Sequence, residues 1–144
     1  MITLLQRVSS AHVEVEAVTI ASIGQGILVL VGVEAEDDES TARRFVERLL
    51  DYRVFADADA KMNLSLRDID GGLLLVPQFT LAANTRKGRR PSFTSAANPR
   101  HGRDIFAAMT TYAGTVYDRV EYGRFGADMQ VHLVNDGPVT FILD

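Results

Sequence analysis

The chain has 144 residues, 47% hydrophobic and 24% charged, with a formal net charge of −4, so it is long enough to bury roughly 70% of its unfolded surface in one domain. The absence of cysteine excludes disulfides, a thiol nucleophile and Cys-ligated zinc, and it fits the cytosol. No apolar run approaches the roughly 20 residues of a membrane span and no basic leader precedes the first one, so a soluble, untargeted, cytoplasmic protein without a membrane partner is expected.

In chain order, residues 2–8 predict a strand, and the alternation of Val13, Val15, Val18 and Ile20 predicts a second and third short strand across 12–23. A turn at Gly24 to Gly26 leads into GILVLVGV, a continuous β-branched run that reads as a strand covered on both faces. The acidic EAEDDES opens a helix capped by Asp37 or Asp38. Ala42, Phe45, Val46, Leu49 and Leu50 form its buried face, leaving Arg43, Arg44, Glu47, Arg48 and Asp51 to water. Residues 53–56 read as a short strand, 57–72 as an irregular loop and 73–81, LLLVPQFTL, as a strand with a proline inside it. The polar segment AANTRKGRRPSFTSAA is too long for a plain connection, and loops of that length are functional or disordered. Asn98 and Pro99 start a second helix as cap and first residue; Ile105, Met109, Tyr112, Ala113 and Val116 point inward, with Phe106 and Tyr117 at the edge. Strands at 129–134 and 139–143 close the chain. The expected fold is mixed α/β: one domain over residues 1–144, with curved, mainly antiparallel or mixed sheets of about seven strands packed on two main helices.

No G-x-S-x-G, H-E-x-x-H, P-loop or G-x-G-x-x-G is present. The histidines, His12, His101 and His132, lie far apart in sequence, and the alternation around His132 puts it on the polar side of its strand. Residues 71–103 contain no acid but carry Arg86, Lys87, Arg89, Arg90, Arg100 and Arg103. Such a segment is either a landing site for phosphates or a solvated basic loop. Two strand-like blocks concentrate hydroxyl, amide and backbone chemistry around a proline: VPQFTL, with Gln78 and Thr80, and NDGPVT, with Asn135, Gly137, Pro138 and Thr140. By local pattern alone, Asp136-Gly137 is a hairpin signal and both threonines are ordinary strand formers.

At these blocks the chain resembles the D-aminoacyl-tRNA deacylases. VPQFTLAANTRKGRRPSF is similar to that family's Ser-Gln-Phe-Thr-Leu segment and its following Arg-Pro-Ser-Phe, and GRFGADMQVHLVNDGPVTF to its Asn-x-Gly-Pro-x-Thr block. MITLLQRVSSAHVEVE, GILVLVGVE and YRVFADADAKMNLSL fit as well, so the similarity spans the chain.

The resemblance implies a homodimeric hydrolase, without cofactor, metal or DNA partner, that cleaves the ester joining a D-amino acid, or glycine mischarged on tRNA-Ala, to the 3′-terminal adenosine of tRNA. It implies that Gly137-Pro138 is a cis peptide inserted into the partner subunit's site, where its backbone rejects L-aminoacyl groups. It assigns a catalytic set of Gln78, Phe79, Thr80 and Thr140, with oxyanion-hole amides near Phe79 and Thr80 and Gln78 orienting the substrate. Thr140 is the hydroxyl candidate, but no base accompanies it, and the substrate's own ribose hydroxyl is the expected driver. Arg7 and Asn135 support the Gly-Pro loop. Arg86, Lys87, Arg89 and Arg90 would hold acceptor-end phosphates, and Phe93 would either stack on the terminal adenine or anchor the core. One departure stands out: the family serine before Gln-Phe-Thr-Leu is Pro77 here. The alternatives are a non-catalytic RNA-binding homologue, or a relaxed deacylase acting mainly on glycyl or mischarged tRNA.

Overall fold

A 14-residue strand, β1 (Ile2–Val15), organises the fold. On one side its first half pairs antiparallel with β3 (Gly26–Gly32) and its second half with β2 (Val18–Ile23); its other side carries the equally long β8 (Gln130–Leu143). β3 continues the sheet in parallel with β6 (Gly72–Pro77), which pairs in parallel with β7 (Val120–Tyr122). The order is β2-β1-β3-β6-β7 with β8 attached to β1, and β4 (Phe55–Ala56) and β5 (Met62–Leu64) form a small separate ribbon. The computed structural model describes residues 1–144.

β3 and β6 are apolar without alternation because both their faces are covered. One face, through Ile27, Val29, Val31, Leu73 and Leu75, meets α1 (Glu39–Asp51) and α3 (Pro99–Val116) in the larger core. The other face, through Leu28, Leu74 and Val76, meets Val8, Ala11, Val13, Ala21 and Ile23, so the sheet curls onto itself. At the start of that pairing, a Cβ on Gly26 would lie 1.9 Å from the Gly72 carbonyl oxygen, so only glycine fits.

Both main helices form where their apolar spacing predicts. The buried face of α1 is Ala42, Phe45, Val46, Leu49 and Leu50, and Asn98 caps α3 by accepting from the His101 N–H at 3.0 Å. Phe106, expected at the edge of α3, is buried with Ile105, Met109 and Ala113. Asp38 is the α1 cap, accepting from the Thr41 N–H at 2.7 Å. Asp37 is buried instead and, with Glu34, receives the Met1 ammonium at 2.7 Å each. Burial opposes that charge, but hydrogen bonds to Asp37 and then Glu34 outweigh it and raise the amine's pKa above its ordinary 8.0.

Several boundaries differ from the sequence reading. The first two predicted strands merge into β1, because pairing with β8 carries the chain straight through exposed Ser9 and Ser10. The predicted loop over 57–72 contains β5 and a one-turn helix, α2 (Leu66–Ile69), closed by a reciprocal cap between Ser65 and Asp68. The strand predicted to reach residue 81 stops at Pro77, and Phe79–Ala82 is a 3₁₀ turn. Part of the α1 face assigned to water is engaged: Glu47 accepts from the Tyr112 hydroxyl at 2.7 Å and pairs with Arg67 at 2.6 Å, Asp51 also meets Arg67, and Arg48 donates to the Asp144 carbonyl. No helix is long and apolar enough to cross a membrane.

Candidate active site

β8 runs antiparallel to β1 along its whole length but leaves the ladder in the middle. Gln6 pairs with Thr140 and Val8 with Asn135, so a step of two residues on β1 is met by a step of five on β8. The surplus is an outward bulge at 136–139. Its Gly137-Pro138 peptide is cis, as the resemblance implies, and Gly137 has a φ of +131°, which only glycine adopts readily. A Cβ there would lie 2.7 Å from Val139 Cγ2 and 3.0 Å from Arg7 Nη2.

Side chains replace the missing ladder bonds. Asn135 Oδ1 accepts from the Val139 N–H at 2.7 Å, while its Nδ2 donates to Thr140 Oγ1 at 2.9 Å. Gln6 Nε2 donates to the same hydroxyl at 3.2 Å. Arg7 Nε donates to the Asp136 carbonyl at 3.1 Å, and its Nη1 to the Val54 carbonyl at 2.7 Å, tying the bulge to the segment after α1. Val139 is buried and anchors the bulge in the larger core. Two amides therefore converge on Thr140, and no carboxylate or imidazole hydrogen-bonds to its hydroxyl.

The second group lies where β6 ends. The Gln78 N–H makes the last parallel bond, to the Val31 carbonyl at 2.7 Å, and the chain then enters the 3₁₀ turn. Leu81 is the first residue to donate back, to the Gln78 carbonyl, leaving the Phe79 and Thr80 N–H groups without an acceptor in the chain. The Gln78 amide donates to the Thr80 hydroxyl. Phe79 is 57% exposed and lies against Phe93, with ring centroids 5.3 Å apart. Phe93 is itself exposed, which removes the reading of it as a core anchor. Phe79 and Pro77 also line an apolar cavity of about 250 Å³ walled by Val31, Val33, Phe106 and Phe125.

Above the two rings stands the basic loop. Asn84 and Ser92 exchange backbone bonds of 2.7 and 3.0 Å and close its neck. Arg86, Lys87, Arg89 and Arg90 lie exposed beyond it, none paired with a carboxylate. The structure thus joins Gln78, Phe79, Thr80, Phe93 and the basic loop in one region, and Arg7, Asn135, Gly137, Pro138 and Thr140 in another. No hydrogen bond links the two, and β1 and β3 lie between β8 and β6 in the sheet. Sequence reasoning missed Gln6 and the Val54 carbonyl: Gln6 adjoins Arg7 in the Gln-Arg-Val segment, but nothing local marks a carbonyl 47 residues away as its neighbour's acceptor.

A family model described as D-Tyr-tRNA(Tyr) deacylase matches residues 4–144. Over all 144 residues the chain is 60% identical to the D-aminoacyl-tRNA deacylase of Pseudomonas paraeruginosa (strain DSM 24068 / PA7), covering 99% of that protein. It is 58% identical over 144 residues to that of Alkalilimnicola ehrlichii (strain ATCC BAA-1101 / DSM 17681 / MLHE-1), covering 96% of it. Among solved structures, the c-Myc DNA Unwinding Element Binding Protein superposes with a TM-score of 0.95 at 36% identity, covering 100% of this chain and 98% of that one. A probable eukaryotic D-amino acid tRNA deacylase shares the fold, with a TM-score of 0.87 at 18% identity over 99% and 97% of the two chains.

Proposed function

The chain belongs to the D-Tyr-tRNA(Tyr) deacylase family and is a D-aminoacyl-tRNA deacylase, and from that premise we propose how its residues divide the work. The Gly137-Pro138 backbone is the chiral filter. It reads the substituents on the substrate's α-carbon, accepts a D-aminoacyl or glycyl group and collides with an L side chain, so the identity of a D side chain matters little. The observation that carries this reading is the brace around the bulge: Arg7 and Asn135 bond its backbone directly, and Gln6 and Asn135 meet on the Thr140 hydroxyl at its flank, as a filter made of backbone requires.

The ester carbonyl lies at the Phe79 and Thr80 amides, whose unpaired N–H groups favour charge developing on its oxygen. Gln78 orients the substrate beside them. The nucleophilic water is activated by the free ribose hydroxyl of the terminal adenosine rather than by Thr140, whose oxygen already receives two amide donors and has no base. The adenine stacks at Phe79 and Phe93, and Arg86, Lys87, Arg89 and Arg90 hold acceptor-end phosphates.

The placement of filter and amides on strands separated by β1 and β3, with no hydrogen bond between them, supports a homodimer in which each Gly137-Pro138 completes the partner's site. The outer side of β8 has no strand neighbour and exposes Val134 and Ile142, at 57% and 64%, for such a contact.

Deacylation of D-tyrosyl-, L-tyrosyl- and glycyl-tRNA tests the filter, with the first and last expected to turn over and the second not. Thr140→Ala should keep turnover within about tenfold, while a tRNA ending in 2′-deoxyadenosine should lose about 100-fold or more. The reverse pattern would return the nucleophile to Thr140.

A further inference from the structure

The two histidines judged remote in sequence stand directly opposite each other across the β1–β8 ladder, His12 against His132. Their rings are stacked, with centroids 4.3 Å apart and planes within 6°. Glu14, two residues along β1 and so on the same face of the sheet, reaches between them: its Oε1 lies 3.4 Å from His12 Nε2 and its Oε2 3.4 Å from His132 Nε2. Ligand atoms of all three residues fall within 4.8 Å of one another.

Donors arranged tetrahedrally at 2.0–2.1 Å from a zinc ion stand about 3.3 Å apart. Each histidine already has that spacing to one Glu14 oxygen, His12 to Oε1 and His132 to Oε2, and a turn of the carboxylate presents a single oxygen to both. The remaining edge, between the two imidazoles, closes when the rings tilt about their outer torsions, a freedom left by side-chain exposures of 38% for His12 and 50% for His132. No lysine or arginine pairs with Glu14 to compete for its charge.

We propose that His12, Glu14 and His132 form a two-histidine, one-carboxylate site for a single Zn²⁺ ion, with water in the fourth position. Two imidazoles select zinc over magnesium or calcium, which prefer all-oxygen shells. Held by one strand on one side and its neighbour on the other, the ion clamps β8 to β1. It lies five residues from Gly137, about 16 Å along a strand, so it acts on stability and not on the ester.

The test uses the full chain, stripped with EDTA and then set to compete for Zn²⁺ with a chromogenic chelator near about pH 7.5, where free imidazole is largely neutral. One ion per chain should be taken up, with a rise in thermal midpoint. His12→Ser and His132→Ser should each remove both effects, Glu14→Gln should weaken uptake, and His101→Gln should leave it intact. Stripping should not change turnover of D-tyrosyl-tRNA. Circular dichroism shows whether each variant is folded, and both histidine positions are exposed enough to accept serine. No saturable uptake, uptake retained by the His132→Ser protein, half an ion per chain, or turnover that depends on zinc would each overturn the proposal.

Discussion

Pro77 and Pro138 both interrupt strands, and the fold accommodates them by opposite means. Along β6 the amides alternate sides: Leu73 donates toward β7 and Gln78 toward β3, so position 77 faces β7. The last β6–β7 pair is Leu75 with Tyr122, and the Gly123 N–H closes the ladder on the Leu75 carbonyl. Pro77 therefore stands where pairing ends, and its lack of an N–H removes only a bond that would have prolonged the ladder. Pro138 lies in the middle of a 14-residue strand, and the chain keeps it there by expelling a bulge and fastening it with Arg7, Asn135 and Gln6. A proline at a ladder end needs no partners; one held in mid-strand by three side chains marks a backbone shape that the rest of the molecule is organised to present.

The sharpest way to break this contrast is Gly137→Ala. The new Cβ meets Val139 and Arg7 at a φ that alanine resists, so D-tyrosyl-tRNA turnover should fall about 100-fold or more, with a stability loss of about 1–3 kcal/mol. Near-normal turnover would show that the bulge is not read by the substrate. Next comes Arg7→Ala, which strands the Asp136 and Val54 carbonyls and should lower stability by about 2 kcal/mol in urea titration. Arg7→Lys should not rescue it, because a single ammonium cannot reproduce the two divergent donors. Asn135→Ala, which orphans the Val139 N–H, should cost about 1 kcal/mol.

A pH series probes the start of β1, the strand that pairs with β8 and its Pro138 bulge. The Met1 amine has a raised folded-state pKa, so its contribution is fully present below about pH 8 and is lost as pH rises through the raised value. The thermal midpoint should therefore decline on the alkaline side. The smallest effect belongs to Pro77→Ser, expected within about 0.5 kcal/mol of the parent and with unchanged turnover. A large gain in turnover would instead show that the missing serine hydroxyl limits this enzyme.

What could be read from the sequence was whatever is encoded locally. The α1 face from Ala42 to Leu50 and the Asn98-Pro99 start of α3 are written in spacing and capping chemistry, and the structure agrees with both. The basic loop showed in the charge distribution, whereas the role of the Gly-Pro block came through motif resemblance, since local pattern around Asp136-Gly137 spoke for a hairpin. Long-range pairing stayed hidden. Whether Ser9 and Ser10 end a strand or pass through it depends on β8, more than 120 residues away. The aromatic and β-branched Phe79 and Thr80 suggest a strand by propensity, yet beyond Pro77 they lose their ladder and coil into a 3₁₀ turn. Asp37 resembled a cap until the Met1 amine folded onto it, and the His12–His132 stack depends on strand register, which alternation alone does not reveal.

The outer side of β8 is an unpaired sheet edge 14 residues long, the kind of row that invites further strands and fibrous growth. Pro138 carries no N–H, and the bulge throws the backbone out of line with Asp136 exposed beside it. A second chain cannot lie along this edge as one continuous added strand. The same interruption that shapes the bulge thus guards the protein against stacking edge to edge.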